Sequence, residues 1–210
     1  MSTSVLYSLT VLIWGSSWLA IHFQIGVVPP EIAIVYRFVL ASTLLVVWCL
    51  ARGISLRIAP RHHPYLALLG FSLFSLNYLL FYYAAFDLAT GLLAVIFSTM
   101  TVMNIFNSAL FLNHRIQKKT VVAVIFGLTG MGLVFWPELA TSRAQAVGAI
   151  GMSLVATYLA SIGNIVSARN QKHGISVASA NAIGMAYGAL FLFVFSILSG
   201  TPFVIDTDIR

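Results

Sequence analysis

Residues 32–51 of this chain have the sequence IAIVYRFVLASTLLVVWCLA. This is the clearest of several apolar stretches that are long enough to cross a membrane as a helix, and these stretches establish the fold class. This stretch contains 20 residues and a single charged side chain, Arg37. A helix of about 20 apolar residues crosses the hydrocarbon core of a bilayer, and it satisfies its own backbone hydrogen bonds there. The stretch therefore predicts a transmembrane helix.

Six further stretches have the same character, and the composition agrees with them. Of the 210 residues, 60% are hydrophobic and 8% are charged, whereas a soluble domain has about 25% charged residues. We predict an all-α integral membrane protein, a polytopic bundle of seven transmembrane helices. The predicted spans are residues 4–23, 32–51, 65–84, 90–112, 120–136, 146–167 and 175–199.

Charge and cysteine content exclude several classes of function. The net charge of +6 comes from 11 basic and 5 acidic residues, which are too few to form a nucleic-acid-binding face. Cys49 is the only cysteine, so no internal disulfide or cysteine metal cluster is expected. No cluster of catalytic acids, histidines or activated serine is visible. We therefore expect no enzyme activity, no metal and no cofactor.

Lys and Arg collect in the even-numbered loops between the predicted spans, and this bias predicts the orientation. Eight of them lie there, and two lie on the opposite side together with all five acidic residues. Basic residues in short loops favour the cytoplasm, so we predict a multi-pass protein of the inner (plasma) membrane with a cytoplasmic N-terminus. The eight are Arg52, Arg57, Arg61, Arg115, Lys118, Lys119, Arg169 and Lys172; the two are Arg143 and Arg210; the acids are Glu31, Asp87, Glu138, Asp206 and Asp208.

A less apolar stretch, residues 137–145, divides the chain. The loop after span one has no Lys or Arg, whereas the loop after span six has two. If span six repeats span one, the charge bias has reversed between the copies, as in the inverted repeats of secondary transporters. We therefore predict a first five-span repeat over residues 1–136 and the first two spans of an inverted second repeat over 146–210.

Short motifs in the first five spans resemble one family. They are Trp14-Gly15-Ser16-Ser17-Trp18, Pro29-Pro30, Arg37-Phe38, LFLNHRI at 110–116 and GLTGMG at 127–132. In this order they resemble the EamA-type transporters of the drug/metabolite transporter superfamily. The resemblance covers residues 4–136 well and the last two spans weakly. It implies two five-span repeats, so we interpret the chain as C-terminally truncated.

Polar side chains within the spans are the candidates for a substrate site, because such residues are costly in lipid and face the bundle interior. Arg37 either extends to the outer headgroups or lines the outer half of a pathway. Met100, Asn104 and Asn107 share one helical stripe with Met103. For Asn107 we favour an interhelical hydrogen bond, and for Asn104 a substrate-facing wall.

Aromatic and amide side chains near the middle of other spans complete the candidate site. The glycines within the spans are not candidates for this site. Gly184 and Gly188 form a GxxxG motif, and residues 127–132 contain three further glycines. Both sets of glycines predict close contacts between helices. The predicted substrate-binding residues are Trp14, Ser17, Arg37, Asn77, Phe81, Met100, Asn104, Asn107 and Tyr158.

These observations favour a secondary transporter for amino-acid-like or drug-like metabolites, and by resemblance an exporter. Its expected partners are the lipid bilayer and a small-molecule substrate. The alternative is an incomplete chain that is inactive, or that assembles only as a homodimer or with a missing C-terminal half. A seven-helix receptor or light sensor is disfavoured, because the N-terminus is predicted to be cytoplasmic and span seven contains no lysine for a retinal Schiff base.

Overall fold

The computed structural model describes residues 3–24, 28–113, 115–141 and 144–204. Within these residues the chain forms helices and turns and contains no strand, which confirms the predicted all-α class. The helices are α1 (Thr3–Gln24), α2 (Pro30–Ala51), α3 (His63–Phe71), α4 (Asn77–Ala84), α5 (Thr90–Ser98), α6 (Met100–Leu112), α7 (Lys118–Thr141), α8 (Ala144–Lys172) and α9 (Val177–Leu198).

Five helical segments among the described residues are long and apolar enough to cross a membrane, and they coincide with five of the seven predicted spans. Two of the segments are continued through irregular turns. The third span begins with a 3₁₀ turn, Pro60–His62, and a π-helical turn, Ser72–Leu76, joins its helices α3 and α4. Helices α5 and α6 form the fourth span. The segments are Pro30–Ala51, Pro60–Ala84, Thr90–Leu112, Ala146–Lys172 and Val177–Leu198.

The other two predicted spans, residues 4–23 and 120–136, coincide with α1 and α7. That these helices cross the membrane remains a prediction, as does the inverted repeat. Helix α7 continues through Pro137 to Thr141, so it extends into the stretch where we placed the boundary between repeats. Outside the described residues lie His114 of the fourth-span motif and Arg143, Asp206, Asp208 and Arg210 of the charge count.

The third span is the centre of the bundle. Helix α2 packs along α9, α3 packs against α9 and α8, and α4 packs against α8. One buried cluster joins α2, the third span and α9, and includes Phe38, Leu69, Phe74 and Leu192. A second cluster joins α4, α5 and α8. Helices α1 and α7 lie at the edge of the bundle, where they contact mainly α5.

Glycines allow α3 and α9 to touch at the backbone, which confirms the close contact predicted for the GxxxG motif. A Cβ added to Gly188 would stand 2.8 Å from the oxygen of Phe74 and 2.9 Å from that of Gly70. No larger residue fits without a backbone shift. Close van der Waals packing is the interaction that holds helices together in lipid.

The close contact predicted for the glycines of the fifth span is not found. A Cβ added to Gly127, Gly130 or Gly132 would meet no atom within 4 Å among the described residues. The reason is the place of α7 at the edge of the bundle, where a small side chain brings no neighbour closer.

The charged residues divide between the two ends of the bundle. At one end, which we name the basic end, α2 and α8 finish and the third span and α9 begin. Ser179 Oγ donates a hydrogen bond to the oxygen of Ser55 there, at 2.8 Å. This end holds Arg52, Arg57, Arg61, Arg169 and Lys172, whereas Glu31 and Asp87 lie at the opposite end. Which end faces the cytoplasm remains a prediction.

Candidate functional site: a cavity at two interrupted helices

Two helices lose their regular hydrogen bonding close to each other. In the third span the π-helical turn Ser72–Leu76 is followed directly by Asn77. In the fourth span the helix is interrupted at Thr99, whose Oγ1 donates a hydrogen bond to the oxygen of Ile96 at 2.6 Å, just before Met100. Side-chain bonds of this kind bend helices, and π turns occur often at functional sites.

A cavity of about 510 Å³ lies beside these two interruptions. Its walls come from α1, the third and fourth spans, α8 and α9. Trp14 and Met100 stand near the middle of their helices, so the cavity includes the middle of the bundle. The lining residues are Ile13, Trp14, Ser17, Leu73, Phe74, Asn77, Tyr78, Phe81, Phe97, Met100, Asn164 and Asn181.

Five of the twelve lining residues are aromatic. Phe97 lies edge-on to Trp14, with 6.2 Å between ring centroids, and edge-on to Phe81 at 5.6 Å. Edge-to-face pairs of this kind fix the orientation of each ring. The three rings therefore form a continuous apolar surface that joins α1 to the third and fourth spans.

Three carboxamides contribute to the polar part of the wall, together with Ser17. Asn77 is 4% exposed, and its Oδ1 has no hydrogen-bond partner among the described residues. Asn164 Nδ2 donates to Met100 Sδ at 3.4 Å and lies 3.5 Å from Asn104 Oδ1. Asn181 completes the set from α9. Because a buried polar atom without a partner is costly, Asn77 offers an unused acceptor to a molecule in the cavity.

Five of the nine predicted site residues line this cavity: Trp14, Ser17, Asn77, Phe81 and Met100. They come from α1 and from the third and fourth spans, which are far apart in sequence. Their role in substrate binding remains a prediction.

The two amides of the fourth-span stripe have different surroundings. Asn107 is buried, and its Nδ2 donates a hydrogen bond to Ser161 Oγ of α8 at 2.8 Å. It therefore has the interhelical role that we favoured. Asn104 contacts Asn164 but lines a different, shallower pocket together with Thr101, Ser108 and Arg115.

Arg37 and Tyr158 do not line the cavity. The Arg37 guanidinium lies over the rings of Tyr78 and Tyr82, with 5.8 Å to each centroid. It therefore contacts one residue of the cavity wall, because Tyr78 is a lining residue. Tyr158 is 46% exposed on α8 and points away from the packed face.

The structure adds lining residues that sequence reasoning left out. Phe97 precedes Met100 by one helical turn, so the stripe that we drew from Met100 onward could have been extended backwards. Asn181 is a single amide in an apolar span, and that alone is a signal. For Leu73 no such signal exists, because its place depends on the π-helical turn. No group of three or more His, Cys, Asp or Glu side chains able to hold a metal occurs within the described part of the chain.

Comparison with known proteins finds one matching family and several relatives of the whole chain. Residues 1–136 match the EamA-like transporter family. Over 91% of its length the chain is 25% identical to the protein PagO of Salmonella typhimurium, covering 62% of that protein. It is 23% identical to an uncharacterized transporter of Buchnera aphidicola, with 91% and 63% coverage, and 26% identical to the uncharacterized transporter YoaV of Bacillus subtilis, with 89% and 64% coverage. No solved structure matches the chain.

Proposed function

Because the chain belongs to the EamA-like transporter family, a member of the drug/metabolite transporter superfamily, we propose that it is a secondary transporter that exports small metabolites across the inner membrane. The substrate binds in the cavity beside Asn77 and Met100, and alternating access opens this cavity to each side in turn. The substrates are amino-acid-like or drug-like compounds.

The cavity is the observation that carries this proposal. Its volume of about 510 Å³ falls within the range of small-molecule sites, about 300–1,000 Å³. Aromatic rings give apolar contact area, and carboxamides offer both donors and acceptors. The lining contains no charged side chain. A mostly apolar molecule with a few polar groups therefore fits this lining better than a small ion does.

The interrupted helices support the same proposal. Secondary transporters place substrate sites near the middle of the membrane, at helices that are broken there. In this chain both interruptions, the π-helical turn Ser72–Leu76 and the break at Thr99, adjoin lining residues. Helices kink where their regular hydrogen-bonding pattern is interrupted, and so these two points are suitable hinges.

The length of the chain supports a second candidate. The chain spans about two thirds or less of the length of the curated relatives it matches, 62% of PagO and 63% and 64% of the two uncharacterized transporters named above. One wall of a complete transport path would then come from another chain, either a second copy or a C-terminal half. In that case the cavity binds substrate, but the 210-residue chain alone does not transport it.

A binding and efflux experiment on the purified 210-residue chain tests both candidates. Substrate binding is followed in detergent by tryptophan fluorescence with a panel of amino acids and drug-like aromatics, because Trp14 lies in the cavity wall. The Trp14→Phe variant should lose the signal, whereas Trp48→Phe should keep it, since Trp48 is exposed and contacts Arg52. Efflux is then measured from proteoliposomes loaded with the compounds that bind.

Point variants connect the signal to the cavity. Asn77→Leu and Phe81→Ala should weaken binding by about tenfold or more, because each removes a polar or aromatic contact that contributes about 1.4 kcal/mol or more. Phe106→Ala is the matched control, since Phe106 is 60% exposed on the fourth span. Binding with efflux supports the transporter, and binding without efflux supports the incomplete assembly. Absence of binding by every compound, or equal effects in the control, contradicts both.

A further inference from the structure

We propose that the basic end of the bundle contains a second, separate site, which binds a phosphate-type anion between the third span and the end of α8. Its residues are Arg61, His62, Arg169 and Asn170. None of them lines the cavity described above.

Two guanidinium groups share one imidazole at this site. Arg61 Nε lies 3.3 Å from His62 Nε2, and Arg169 Nη1 lies 3.4 Å from His62 Nδ1. A neutral imidazole accepts a hydrogen bond at one nitrogen and donates at the other, and a protonated one only donates. At most one guanidinium can therefore donate to His62. The other guanidinium faces an N–H group of the ring, and because Arg61 is exposed, an acceptor from outside the chain can bind there.

Asn170 adds a second donor without an acceptor. Its side chain is 0% exposed, and its Oδ1 accepts a hydrogen bond from Arg169 Nη1 at 3.2 Å. Its Nδ2 is buried and has no acceptor among the described residues. A buried amide nitrogen left in this way carries a desolvation cost. The site thus has a surplus of donors from two independent side-chain types.

The charges of the site are also unbalanced. His173 lies beside it, with 5.6 Å between its ring and that of His62, and α8 ends with a further basic residue, Lys172. The two acidic residues whose side chains the structure describes, Glu31 and Asp87, lie at the opposite end of the bundle, and Glu31 is bound there by Tyr83. Within the described chain no carboxylate neutralises these cations. A bound anion would supply both the missing charge and the missing acceptors.

The site is held in place before any ligand binds. The Arg169 guanidinium stacks on the ring of Tyr65, with 3.2 Å from Cζ to the centroid. The carbonyl of Asn170 accepts hydrogen bonds from the backbone nitrogens of His173 and Ile175, both at 3.1 Å. The end of α8 is therefore capped and does not present a free carbonyl to an anion. A planar guanidinium fixed by stacking is well suited to bidentate binding of phosphate oxygens.

The ligand is identified by its chemistry as a phosphate group with several charged oxygens. Such a group is carried by anionic phospholipids, which occupy basic pockets between transmembrane helices, and by soluble phosphates. The two sources differ in their hydrophobic tails and can be separated by experiment.

Lipid retention and thermal stability of the full 210-residue chain test the site. The chain in neutral detergent is mixed with phosphatidylglycerol, with phosphatidylcholine or with inorganic phosphate, and with chloride at equal ionic strength. Bound lipid is counted by native mass spectrometry and the melting temperature is measured. We expect one phosphatidylglycerol to be retained in preference to phosphatidylcholine. A rise in melting temperature with phosphate, but not with chloride, would instead assign the site to a soluble phosphate.

Variants locate the effect. Arg169→Gln and Arg61→Gln should each weaken anion binding by about tenfold, since a charge-assisted hydrogen bond contributes about 1.5 kcal/mol or more. Arg57→Gln is the matched control, because Arg57 is exposed at the same end. Should Arg169→Gln fail to fold, Arg61→Gln decides the question, since Arg61 is exposed and its described side-chain bond is to His62. Equal binding by wild type and both variants, or no preference for phosphate-bearing ligands over phosphatidylcholine and chloride, overturns the proposal.

Discussion

Asn107 of α6 donates a hydrogen bond from Nδ2 to Oγ of Ser161 in α8, across 2.8 Å and in a buried position. This bond joins the fourth span to the sixth predicted span close to the cavity, while Asn164, one turn further along α8, reaches Met100 in the cavity wall. Packing between α6 and α8 and the shape of the cavity are thus connected through neighbouring amides.

The bond between Asn107 and Ser161 should show a measurable coupling. In a double-mutant cycle with Asn107→Ala and Ser161→Ala, we expect an interaction free energy of about 0.6 kcal/mol, the average for such bonds in a membrane protein. The free energy of unfolding is measured by titration with a denaturing detergent. Strict additivity of the two single variants would show that the bond contributes nothing to stability.

Alanine at Gly188 should destabilise the bundle. The new Cβ would stand 2.8 Å from the oxygen of Phe74, so α9 must move away from the third span, and overpacking of this kind costs about 1–3 kcal/mol. Gly151→Ala is the control, because a Cβ there meets no atom within 4 Å. The control should be neutral or stabilising by up to about 1 kcal/mol, from helix propensity. Equal unfolding free energies for both variants would contradict the close contact.

Ser42 should stabilise the pairing of α2 with α9. Its Oγ donates to the oxygen of Ala182 at 2.8 Å, in a buried position. We expect Ser42→Ala to lower the free energy of unfolding by about 1 kcal/mol. The neighbouring Thr43 bonds within its own helix and is exposed, so Thr43→Ala should change stability by less than about 0.5 kcal/mol. A larger loss for Thr43→Ala than for Ser42→Ala would be inconsistent with this role.

The hydrogen bond from Tyr83 to Glu31 should stabilise the fold. The Tyr83 hydroxyl donates a hydrogen bond to the carboxylate of Glu31, which is 6% exposed. Removal of that donor in Tyr83→Phe leaves a buried acceptor unsatisfied, and this should cost about 1–3 kcal/mol of unfolding free energy. Tyr36→Phe provides the comparison, since Tyr36 is 40% exposed, and its effect should stay within about 0.5 kcal/mol. If the two tyrosine variants unfold alike, the contact with Glu31 does not stabilise the fold.

The sequence was sufficient to predict the class of fold. Apolar stretches of about 20 residues identify transmembrane helices because each helix satisfies its own backbone in lipid, and this is a local property of the chain. The GxxxG motif of α9 could be read in the same way, since its effect depends on the small size of two residues. The partner surface at Gly70 could not be predicted.

The candidate site was only partly predictable. Helical spacing places Asn104 and Asn107 on one stripe, and nothing in the sequence separates their roles. The structure separates them, because Ser161 lies opposite Asn107 while Asn104 faces a shallower pocket. The π-helical turn that brings Leu73 and Asn77 into the same wall also depends on packing around the third span, which no local pattern encodes.

Helix α8 shows why the packed face of a transmembrane helix is hard to find from its sequence. Its buried side carries small and polar residues, Ser153, Thr157 and Ser161, whereas Val155 and Tyr158 are 54% and 46% exposed. In a water-soluble protein these large apolar side chains would be buried in the core. Lipid is as apolar as the protein core, so no hydrophobic driving force buries them here. The length and apolar character of these segments are thus enough to identify them as helices suited to a membrane. The side of each helix that meets its neighbours depends on the tertiary structure, because close packing and hydrogen bonding between specific helices, rather than exclusion from water, select that side.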